Sequence, residues 1–449
     1  MQLTILGGGG FRVPLVYGAL LTDDHPDRVR EVVLHDTDAT RLASIERVLQ
    51  QMGADHDDPP RVRASTDLDE AVAGADFVFS AIRVGGTQGR TVDERVPLSC
   101  GVLGQETTGP GGLAYALRTV PVAVHIAERI RELAPDAWTI NFTNPAGIVT
   151  EAMSAVLGDR VVGICDSPIA LARRAARACG VDPTTTALDV DYVGLNHLGW
   201  LQGLRTDGTD LLPDLVADPQ RLATIEEGRL FGPEWLGALG TIPNEYLYYY
   251  YFTRDAVASI LDAEQTRGEF LLQQQDAFYA ELAARPDDAL ATWRRVREER
   301  DATYMREARE EDEARDAADI EGGGYEGVAL AIMAAISRGE AADLILGVRN
   351  DGTVPGLPVG AVVEIPCRVD ADGPHPLRVT APTGHRLGLM AQVKEVEQLT
   401  IRASLERSPA LALEALALHP LVPSVTTARE MLDGFRRRSP QIGALLGAP

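Results

Sequence analysis

Apolar residues near the start of the chain predict a strand that runs directly into a helix. Residues 2–6 form a short apolar run with two β-branched residues, which indicates a buried strand. Four glycines follow at 7–10, and apolar residues then recur at helical spacing, at Val13, Val16, Tyr17 and Leu20. The order of strand, glycine turn and helix is typical of the first unit of a dinucleotide-binding fold.

The glycine turn has the features that a dinucleotide pyrophosphate requires. Glycines let the backbone approach the phosphates, and the N-terminus of the next helix offers free N–H groups. One residue departs from the usual pattern, because Arg12 stands where a third glycine is expected. The residues expected to contact the cofactor are Gly7, Gly8, Gly9, Gly10, Phe11 and Arg12.

A second apolar run at 31–36 ends in an acidic residue. Asp36 is placed to accept a hydrogen bond from a ribose hydroxyl, which favours NAD over NADP. The same pattern would also fit a glycine-rich turn in another α/β fold. Its position at the start of the chain and the placement of Asp36 favour the dinucleotide interpretation.

Strands and helices alternate through residues 1–185. Apolar runs at 76–82, 137–143 and 160–165 predict further buried strands, and helical segments such as 118–133 lie between them. This alternation predicts an α/β fold whose N-terminal part is a Rossmann-like, doubly wound parallel sheet.

Polar segments follow three of these predicted strands, at 82–86, 141–146 and 165–168. Ligands of doubly wound sheets collect at the carboxyl ends of the strands. We therefore expect the three segments to open towards one crevice.

The pattern changes after residue 185, and residues 186–449 predict a mixed α+β domain for substrate and metal binding and for oligomerisation. A mixed-charge run at 294–315 predicts a solvated helix, and 321–327 predicts a loop. Residues 344–369 carry strand and turn signals, and helices are expected from Gly384 onwards.

Composition limits the classes of function. The chain has 449 residues and a net charge of −24, which argues against nucleic acid or an anionic membrane as partner. No apolar run is long enough to span a membrane, and no secretory signal is evident. The four cysteines are widely spread, so we expect free thiols and a cytoplasmic protein.

Several short segments, in this order, resemble those of glycoside hydrolase family 4. Each segment alone is a weak signal, but together they span nearly the whole chain. They are G-G-G-G-F-R-V-P-L (7–15), R-V-G-G (83–86), G-Q-E-T-T-G-P-G-G (104–112), N-F-T-N-P-A-G (141–147), C-D-S-P (165–168), G-L-N-H (194–197), I-P-N-E-Y-L (242–247) and T-R-G-E (266–269).

The resemblance implies an unusual route to glycoside hydrolysis that uses NAD and Mn²⁺. Oxidation of the sugar at C3 acidifies the C2 proton, a base removes that proton, and the C1 leaving group is eliminated. Water then adds at C1 and C3 is reduced again, so the cofactor is regenerated. A divalent metal near O2 and O3 would stabilise the charge that develops.

Site residues are carried over from the resemblance one by one. Cys165 and His197 match the metal ligands, although ligand softness alone would favour zinc over Mn²⁺. The alternative for Cys165 is an inert thiol buried at the end of a strand. Tyr246 matches the base, and Glu106 matches a carboxylate that tunes it, with a structural cap of the loop as the alternative.

Asp166 carries conflicting information about the substrate. It can act as the acid that protonates the leaving oxygen, or it can cap the next helix. The resemblance associates Asp at this position with 6-phospho-α-glucosidases, and Ser167 stands where Met is usual. Other segments favour 6-phospho-β-glucosides, which we take as the expected substrate, with α-linked or unphosphorylated glycosides as alternatives.

The remaining contacts also follow from the resemblance. Arg83 is expected at the cofactor, Asn144 at a sugar hydroxyl, and Arg90 and Arg267 at a 6-phosphate. A homodimer or homotetramer is expected. Two other classes share the first domain, namely an ordinary NAD-dependent 2-hydroxy-acid dehydrogenase and a non-catalytic NAD sensor.

Overall fold

A computed structural model describes residues 1–302 and 324–448. Within these residues, 13 strands form one sheet. The strands, numbered β1 to β13 in chain order, are Gln2–Leu6, Glu31–His35, Arg61–Ser65, Phe77–Ser80, Trp138–Asn141, Val161–Gly163, Asp189–Leu195, Leu198–Thr206, Thr209–Asp210, Ile242–Pro243, Ala342–Arg349, Val362–Asp370 and Gly373–Pro376.

Helices cover both faces of the sheet and form a layer at the C-terminus. The α-helices, numbered α1 to α20 in chain order, are Val13–Leu21, Ala39–Gly53, Leu68–Val72, Gly86–Ser99, Pro110–Leu133, Ala146–Leu157, Ser167–Ala178, Leu212–Val216, Pro219–Leu222, Glu226–Phe231, Pro233–Leu239, Tyr248–Tyr251, Thr253–Asp262, Arg267–Ala284, Ala289–Ala302, Tyr325–Arg338, Gly384–Leu405, Pro409–Leu418, Val425–Arg438 and Pro440–Leu446. Two 3₁₀ turns span Glu245–Leu247 and Pro286–Asp288.

The first six strands form the predicted parallel sheet. Their order across the sheet is β3-β2-β1-β4-β5-β6, and every adjacent pair is parallel. This is the order of the doubly wound dinucleotide-binding fold, with β1 central. Strands β1, β4, β5 and β6 end at the same edge, so the residues that follow them are neighbours. The predicted fold class is confirmed.

The sheet continues into the C-terminal half through antiparallel pairs. Strand β11 pairs with β6 where Gly347 faces Gly163, and β12, β7, β8 and β10 extend the sheet further. The second half is therefore a mixed α+β region built onto the parallel sheet. The boundary proposed at 185/186 stays a prediction.

Local elements differ from the sequence predictions in three places. Helix α5 begins at Pro110 instead of residue 118, since Pro110 occupies the first turn, where its missing N–H costs no helical bond. Helix α15 buries Trp293 and Val296, so the run from residue 294 is not wholly solvated. Residues 303–315 and 321–323 lie outside the described residues, and Tyr325 already begins helix α16.

The structure also tests the expectations about the cysteines and about membrane-spanning helices. All four cysteines are free thiols. Within residues 1–302 and 324–448, no helix combines the length and apolarity that a membrane span requires.

Candidate active site

The glycine turn lies tightly between the ends of β1, β2 and β4. Gly7 has a φ of +80°, and a Cβ there would lie 2.5 Å from the carbonyl oxygen of Ala81. A Cβ on Gly8 would lie 2.8 Å from Leu34 Cβ. Only glycine fits these two positions. Helix α1 then begins at Val13 without a side-chain cap, so its N-terminus can receive an anion.

Three aromatic side chains from the C-terminal half hold the turn from outside. The Tyr279 hydroxyl donates to Gly9 O at 2.6 Å, and Trp293 Nε1 donates to Phe11 O at 2.8 Å. Tyr325 donates to the carbonyl of Arg12 at 3.2 Å. These bonds fix the carbonyl groups of the turn. No local motif marks these three residues, so they could not be predicted from the sequence.

Asp36 lies beside the turn, as the sequence predicts. Its Oδ2 accepts from Gly9 N at 3.0 Å, and its Oδ1 accepts from Asp38 N at 3.0 Å. The carboxylate therefore orders the turn itself and is only partly buried. A glycine cradle, an uncapped helix and a neighbouring carboxylate together fit a dinucleotide.

Glu106 lies between two of the predicted arginines. Its Oε2 is 2.6 Å from Arg83 Nη1, although the two atoms are not aligned as a hydrogen bond, and its Oε1 accepts from Arg90 Nη1 at 2.5 Å. Burial alone would raise the pKa of Glu106, but the two guanidinium groups outweigh burial and lower it to about 2. Glu106 is therefore a permanent anion between two cations.

A buried ion pair between Arg118 and Asp93 lies next to the cluster of Glu106, Arg83 and Arg90. Arg118 donates to both oxygens of Asp93 at 2.7 Å, and neither side chain is exposed to solvent. The Tyr115 ring contacts both the Arg83 and the Arg118 guanidinium, whose Cζ atoms lie 4.8 Å and 4.9 Å from the ring centroid. Asp93, Tyr115 and Arg118 were all missed from sequence.

Glycines within the R-V-G-G segment at 83–86 and just after it pack against Arg118. A Cβ on Gly85 would lie 2.9 Å from Arg118 Nε, and a Cβ on Gly89 would lie 3.0 Å from Arg118 Nη2. Arg118 Nε also donates to Val84 O at 2.8 Å. The glycines therefore make room for the guanidinium that organises the loop.

Arg267 and a further arginine, Arg300, adjoin this cluster. Arg267 Nη2 donates to the carbonyl of Arg300 at 3.2 Å, and the Arg300 guanidinium lies 4.9 Å from the Phe11 ring centroid. Burial and four neighbouring guanidinium groups lower the pKa of Arg300 to about 9. Those groups belong to Arg12, Arg267, Arg90 and Arg83.

Five guanidinium groups thus lie near one another, next to the glycine turn. Arg300 was not predicted, because it lies within the mixed-charge run that indicated a solvated helix. The partial burial of its side chain corrects that interpretation for the described part of the run.

Cys165 and Asp166 follow β6. Cys165 is buried, and burial together with the neighbouring carboxyl groups of Glu364 and Asp166 raises the pKa of its thiol. Asp166 occupies the N-cap position of α7, but its side chain makes no capping hydrogen bond. The helix-cap alternative for Asp166 is therefore wrong, and its partly exposed carboxyl group can face a ligand.

His197 lies in the tight turn between β7 and β8. A Cβ on Gly194 would lie 2.3 Å from Gly199 Cα, so the two strands approach too closely for any other residue there. His197 itself has a φ of +62°, in the left-handed region that is unusual for a non-glycine residue. Its Nδ1 is 3.1 Å from Thr107 Oγ1, which orients the ring and leaves Nε2 for a ligand. Burial lowers the pKa of His197 to about 3, so the imidazole is neutral.

Tyr246 stacks on His197. The two ring centroids are 3.6 Å apart and the ring planes differ by 6°. Asn244 Oδ1 accepts from Tyr246 N at 3.1 Å and fixes the 3₁₀ turn that carries the tyrosine. The structure thus brings together the predicted base and one predicted metal ligand.

Glu364 connects the regions of Cys165 and His197. Its Oε1 accepts from Asn196 Nδ2, and its Oε2 accepts from the Tyr192 hydroxyl, both at 3.2 Å. Burial raises the pKa of Glu364 to about 7. Glu364 belongs to β12 of the antiparallel half and was not predicted from the sequence.

Whether a metal fits depends on the number of ligands. Among residues 1–302 and 324–448, no three His, Cys, Asp or Glu side chains form a cluster that could hold an ion. A pair of protein ligands would therefore need oxygens from a substrate to complete the coordination. Asn144 Oδ1 is buried with no hydrogen-bond partner in the described part of the chain, as expected beside a polar ligand.

The sheet order and the glycine turn place the protein in the class of Rossmann-type α/β enzymes. Residues 2–181 match the family 4 glycosyl hydrolases, and residues 192–422 match the C-terminal domain of that family. The chain belongs to glycosyl hydrolase family 4 and is a glycoside hydrolase. The resemblance is confirmed, and the dehydrogenase and sensor alternatives are set aside.

Individual relatives cover nearly the whole chain. A probable 6-phospho-β-glucosidase of Bacillus subtilis is 33% identical over 442 residues, which are 96% of this chain and 94% of that protein. A maltose-6'-phosphate glucosidase of the same organism is 30% identical over 448 residues, with coverage of 96% and 94%. The structure of 6-phospho-β-glucosidase from Thermotoga maritima with manganese, NAD⁺ and glucose-6-phosphate is 27% identical, with a TM-score of 0.80 and 98% of both chains covered.

Proposed function

We propose that the protein hydrolyses 6-phospho-β-glucosides and needs NAD and Mn²⁺ as cofactors. One observation carries the proposal. The glycine turn, the arginine cluster and the His197–Tyr246 stack adjoin one another, because Arg12 of the turn lies near the other arginines and Thr107, next to Glu106, lies 3.1 Å from His197 Nδ1. The relatives named 6-phospho-β-glucosidase, one of them with NAD⁺, manganese and glucose-6-phosphate bound, support the same substrate and cofactors.

NAD would bind along the turn, with the pyrophosphate at the uncapped N-terminus of α1 and a ribose near Asp36. The residues proposed to hold it are Gly7, Gly8, Gly9, Gly10, Phe11, Arg12, Asp36 and Arg83. Cys165 and His197 are proposed to hold the metal. When bound, NAD supplies reversible oxidation at the sugar C3, and Mn²⁺ supplies Lewis acidity towards the neighbouring oxygens.

Tyr246 is proposed to remove the C2 proton. A phenol ordinarily has a pKa near 10, so the tyrosine needs nearby positive charge to act as a base at neutral pH. Asp166 is proposed to protonate the leaving oxygen, because its carboxyl group is partly exposed and is not used for helix capping. Glu106 is proposed to hold Arg83 and Arg90 in place through its two ion pairs.

Arg90 and Arg267 are proposed to bind the 6-phosphate, and Asn144 to bind a sugar hydroxyl. A dianion approaching a chain of net charge −24 meets long-range repulsion, so a local group of cations is required. The five neighbouring guanidinium groups supply such a local group of cations.

An α-linked substrate is the second candidate. Asp166 favours it, and so does the relative named maltose-6'-phosphate glucosidase. We keep β as the main proposal, because the relative at 33% identity is named for β-glucosides.

We further propose that the enzyme is cytoplasmic and forms a homodimer or homotetramer. Light scattering coupled to size exclusion measures the oligomeric state directly, and a monomeric mass would contradict the second part of the proposal.

Paired substrates test the proposed function. The 4-nitrophenyl α- and β-glucosides, each with and without a 6-phosphate, are compared with NAD⁺ and Mn²⁺ present and with each cofactor removed in turn. We expect the phosphorylated β-glucoside to react fastest, only with both cofactors, and without accumulation of NADH. Full activity after dialysis against chelator, or faster turnover of an unphosphorylated sugar, would contradict the proposal.

A further inference from the structure

Two loops that carry proposed catalytic residues are joined by a buried hydrogen bond. Ser167 Oγ donates to Glu245 Oε1 at 2.9 Å. Ser167 directly follows Asp166, and Glu245 directly precedes Tyr246. The two partners are 78 residues apart in the chain, and both are buried. The bond therefore connects the loop of the proposed acid to the loop of the proposed base.

A second contact from the same helix holds the other oxygen of Glu245. Arg174 Nη2 lies 3.6 Å from Glu245 Oε2, and Arg174 also pairs with the buried carboxylate of Glu227, its Nε donating at 3.1 Å. Ser167 and Arg174 are seven residues apart on α7, so they lie on the same face of that helix. One helix face thus binds both oxygens of Glu245.

We propose that Ser167 is a positioning residue, whose bond to Glu245, itself held by Arg174, keeps the carboxyl group of Asp166 where it can protonate the leaving oxygen. This proposal rests on the acid role proposed above for Asp166. Neither Ser167 nor Arg174 needs to touch the substrate.

The local structure explains why such a link is needed. Asp166 makes no capping bond to α7, so its own side chain does not fix the first turn of the helix. Tyr246 lies in a short 3₁₀ turn of three residues. Proton transfer requires heavy atoms at hydrogen-bond distance in the reacting complex, and a displacement of about 1 Å can cost about 10²-fold in rate.

The test compares Ser167→Ala with Ser167→Thr. Both variants keep the backbone N–H of Ser167, which bonds to the Cys165 sulfur, and only Thr keeps the hydroxyl. Each variant is assayed as holoenzyme on methyl and on 4-nitrophenyl 6-phospho-β-glucoside. A nitrophenolate leaves without a proton, whereas a methoxide needs protonation by the acid.

We expect Ser167→Ala to lower kcat for the methyl glycoside by about 10- to 100-fold, with less than about threefold change for the nitrophenyl glycoside. KM should change little for either substrate, and Ser167→Thr should restore most of kcat. Equal losses on both substrates, or no loss on either, would overturn the proposal.

Two control variants distinguish a failure of the positioning role from a failure of the acid role proposed for Asp166. Ser439→Ala removes another buried hydroxyl at a helix start, whose bonds go only to Gln441 and Ile442 among the described residues. It should lower Tm without changing the ratio of the two activities. Asp166→Asn should reproduce the selective loss. If it does not, the acid assignment itself fails; if it does and Ser167→Ala does not, only the positioning role fails.

Discussion

The imidazole of His197 and the phenol of Tyr246 lie face to face, with centroids 3.6 Å apart and planes within 6° of parallel. Thr107 orients the imidazole and Asn244 orients the backbone of the tyrosine, so the pair is held from both sides. The stack therefore fixes the position of the imidazole relative to the phenol ring. The ring of Tyr246 packs in the stack, whereas its hydroxyl oxygen would remove the proton. The two roles of the tyrosine can therefore be tested separately.

Tyr246→Phe should keep the stack and remove the hydroxyl. We expect kcat to fall by about 10²- to 10⁴-fold, the range for general acid–base catalysis, while Tm changes by little. Steady-state assays and thermal melts measure the two quantities. Substrate deuterated at C2 should show a primary isotope effect with the wild-type enzyme or lose its deuterium to solvent.

Tyr248→Phe is the matched control for this variant. Tyr248 lies in the same tyrosine-rich segment, and its ring stacks on Phe252 at 5.3 Å. Its variant should keep near-normal activity. If Tyr246→Phe were equally active, the tyrosine would have only a packing role.

Cys165→Ser and His197→Ala should abolish turnover but leave NAD binding nearly intact. Cys165 follows β6, His197 lies between β7 and β8, and the glycine turn follows β1, so the functions proposed for these residues and for the turn can be lost independently. Titration of NAD⁺ by calorimetry and Mn²⁺-dependent activity assays measure the two effects.

Cys367→Ser is the corresponding control, since Cys367 is a buried free thiol on β12 whose sulfur bonds to Ile365 O. It should retain Mn²⁺-dependent activity. A parallel loss of NAD affinity in the Cys165 and His197 variants would indicate that these residues maintain the fold.

Local patterns predict the parts of this protein that depend on neighbouring residues. The glycine turn, Asp36 and the parallel strands follow from spacing within short segments. Tyr279 and Trp293 could not be found in this way, because they bond to Gly9 and Phe11 across 270 and 282 positions. Only the folded chain brings such partners together.

The burial of a charged residue also cannot be predicted from its local sequence pattern. Arg300 belongs to a run of alternating charges that resembles a solvated helix, and its partial burial depends on the contact of α15 with the glycine turn. The link between Ser167 and Glu245 likewise joins two motifs that the sequence shows separately. The continuous sheet is a third example, because Gly163 and Gly347 carry no signal that they pair.

Neutralising the proposed phosphate ligands should change substrate preference. Arg90→Gln or Arg267→Gln should lower kcat/KM for a 6-phosphoglucoside by about one to two decades, since a charge-assisted hydrogen bond contributes about 1.5–3 kcal/mol. The loss for the unphosphorylated sugar should be much smaller. Because Arg90 also pairs with Glu94 and Glu106, thermal melts must accompany the kinetics.

Arg129→Gln provides the comparison, since Arg129 forms surface ion pairs with Asp69 and Glu132. It should leave the preference for phosphate unchanged. An equal loss on phosphorylated and free sugars in the Arg90 and Arg267 variants would argue against a phosphate site.

Buried His419 should make the fold sensitive to acid. His419 lines a cavity of about 30 Å³ together with His197 and accepts a hydrogen bond from Leu421 N at 3.1 Å. Burial lowers the pKa of His419 from 6.5 to about 3, so the unfolded chain takes up a proton below pH 6.5 that the folded chain does not. The free energy of unfolding must then decrease as the pH falls through this window, by up to about 1.4 kcal/mol per pH unit for one such group.

His419→Asn keeps an acceptor for Leu421 N and removes the titrating ring. At pH 8 both forms of the protein carry a neutral side chain here, so the difference in urea stability measures packing alone. Between pH 6 and pH 4 we expect the variant to lose stability less steeply than the wild type, because one proton-linked contribution is gone while that of His197 remains. Parallel stability curves for the two proteins over this range would show that His419 does not control the acid sensitivity.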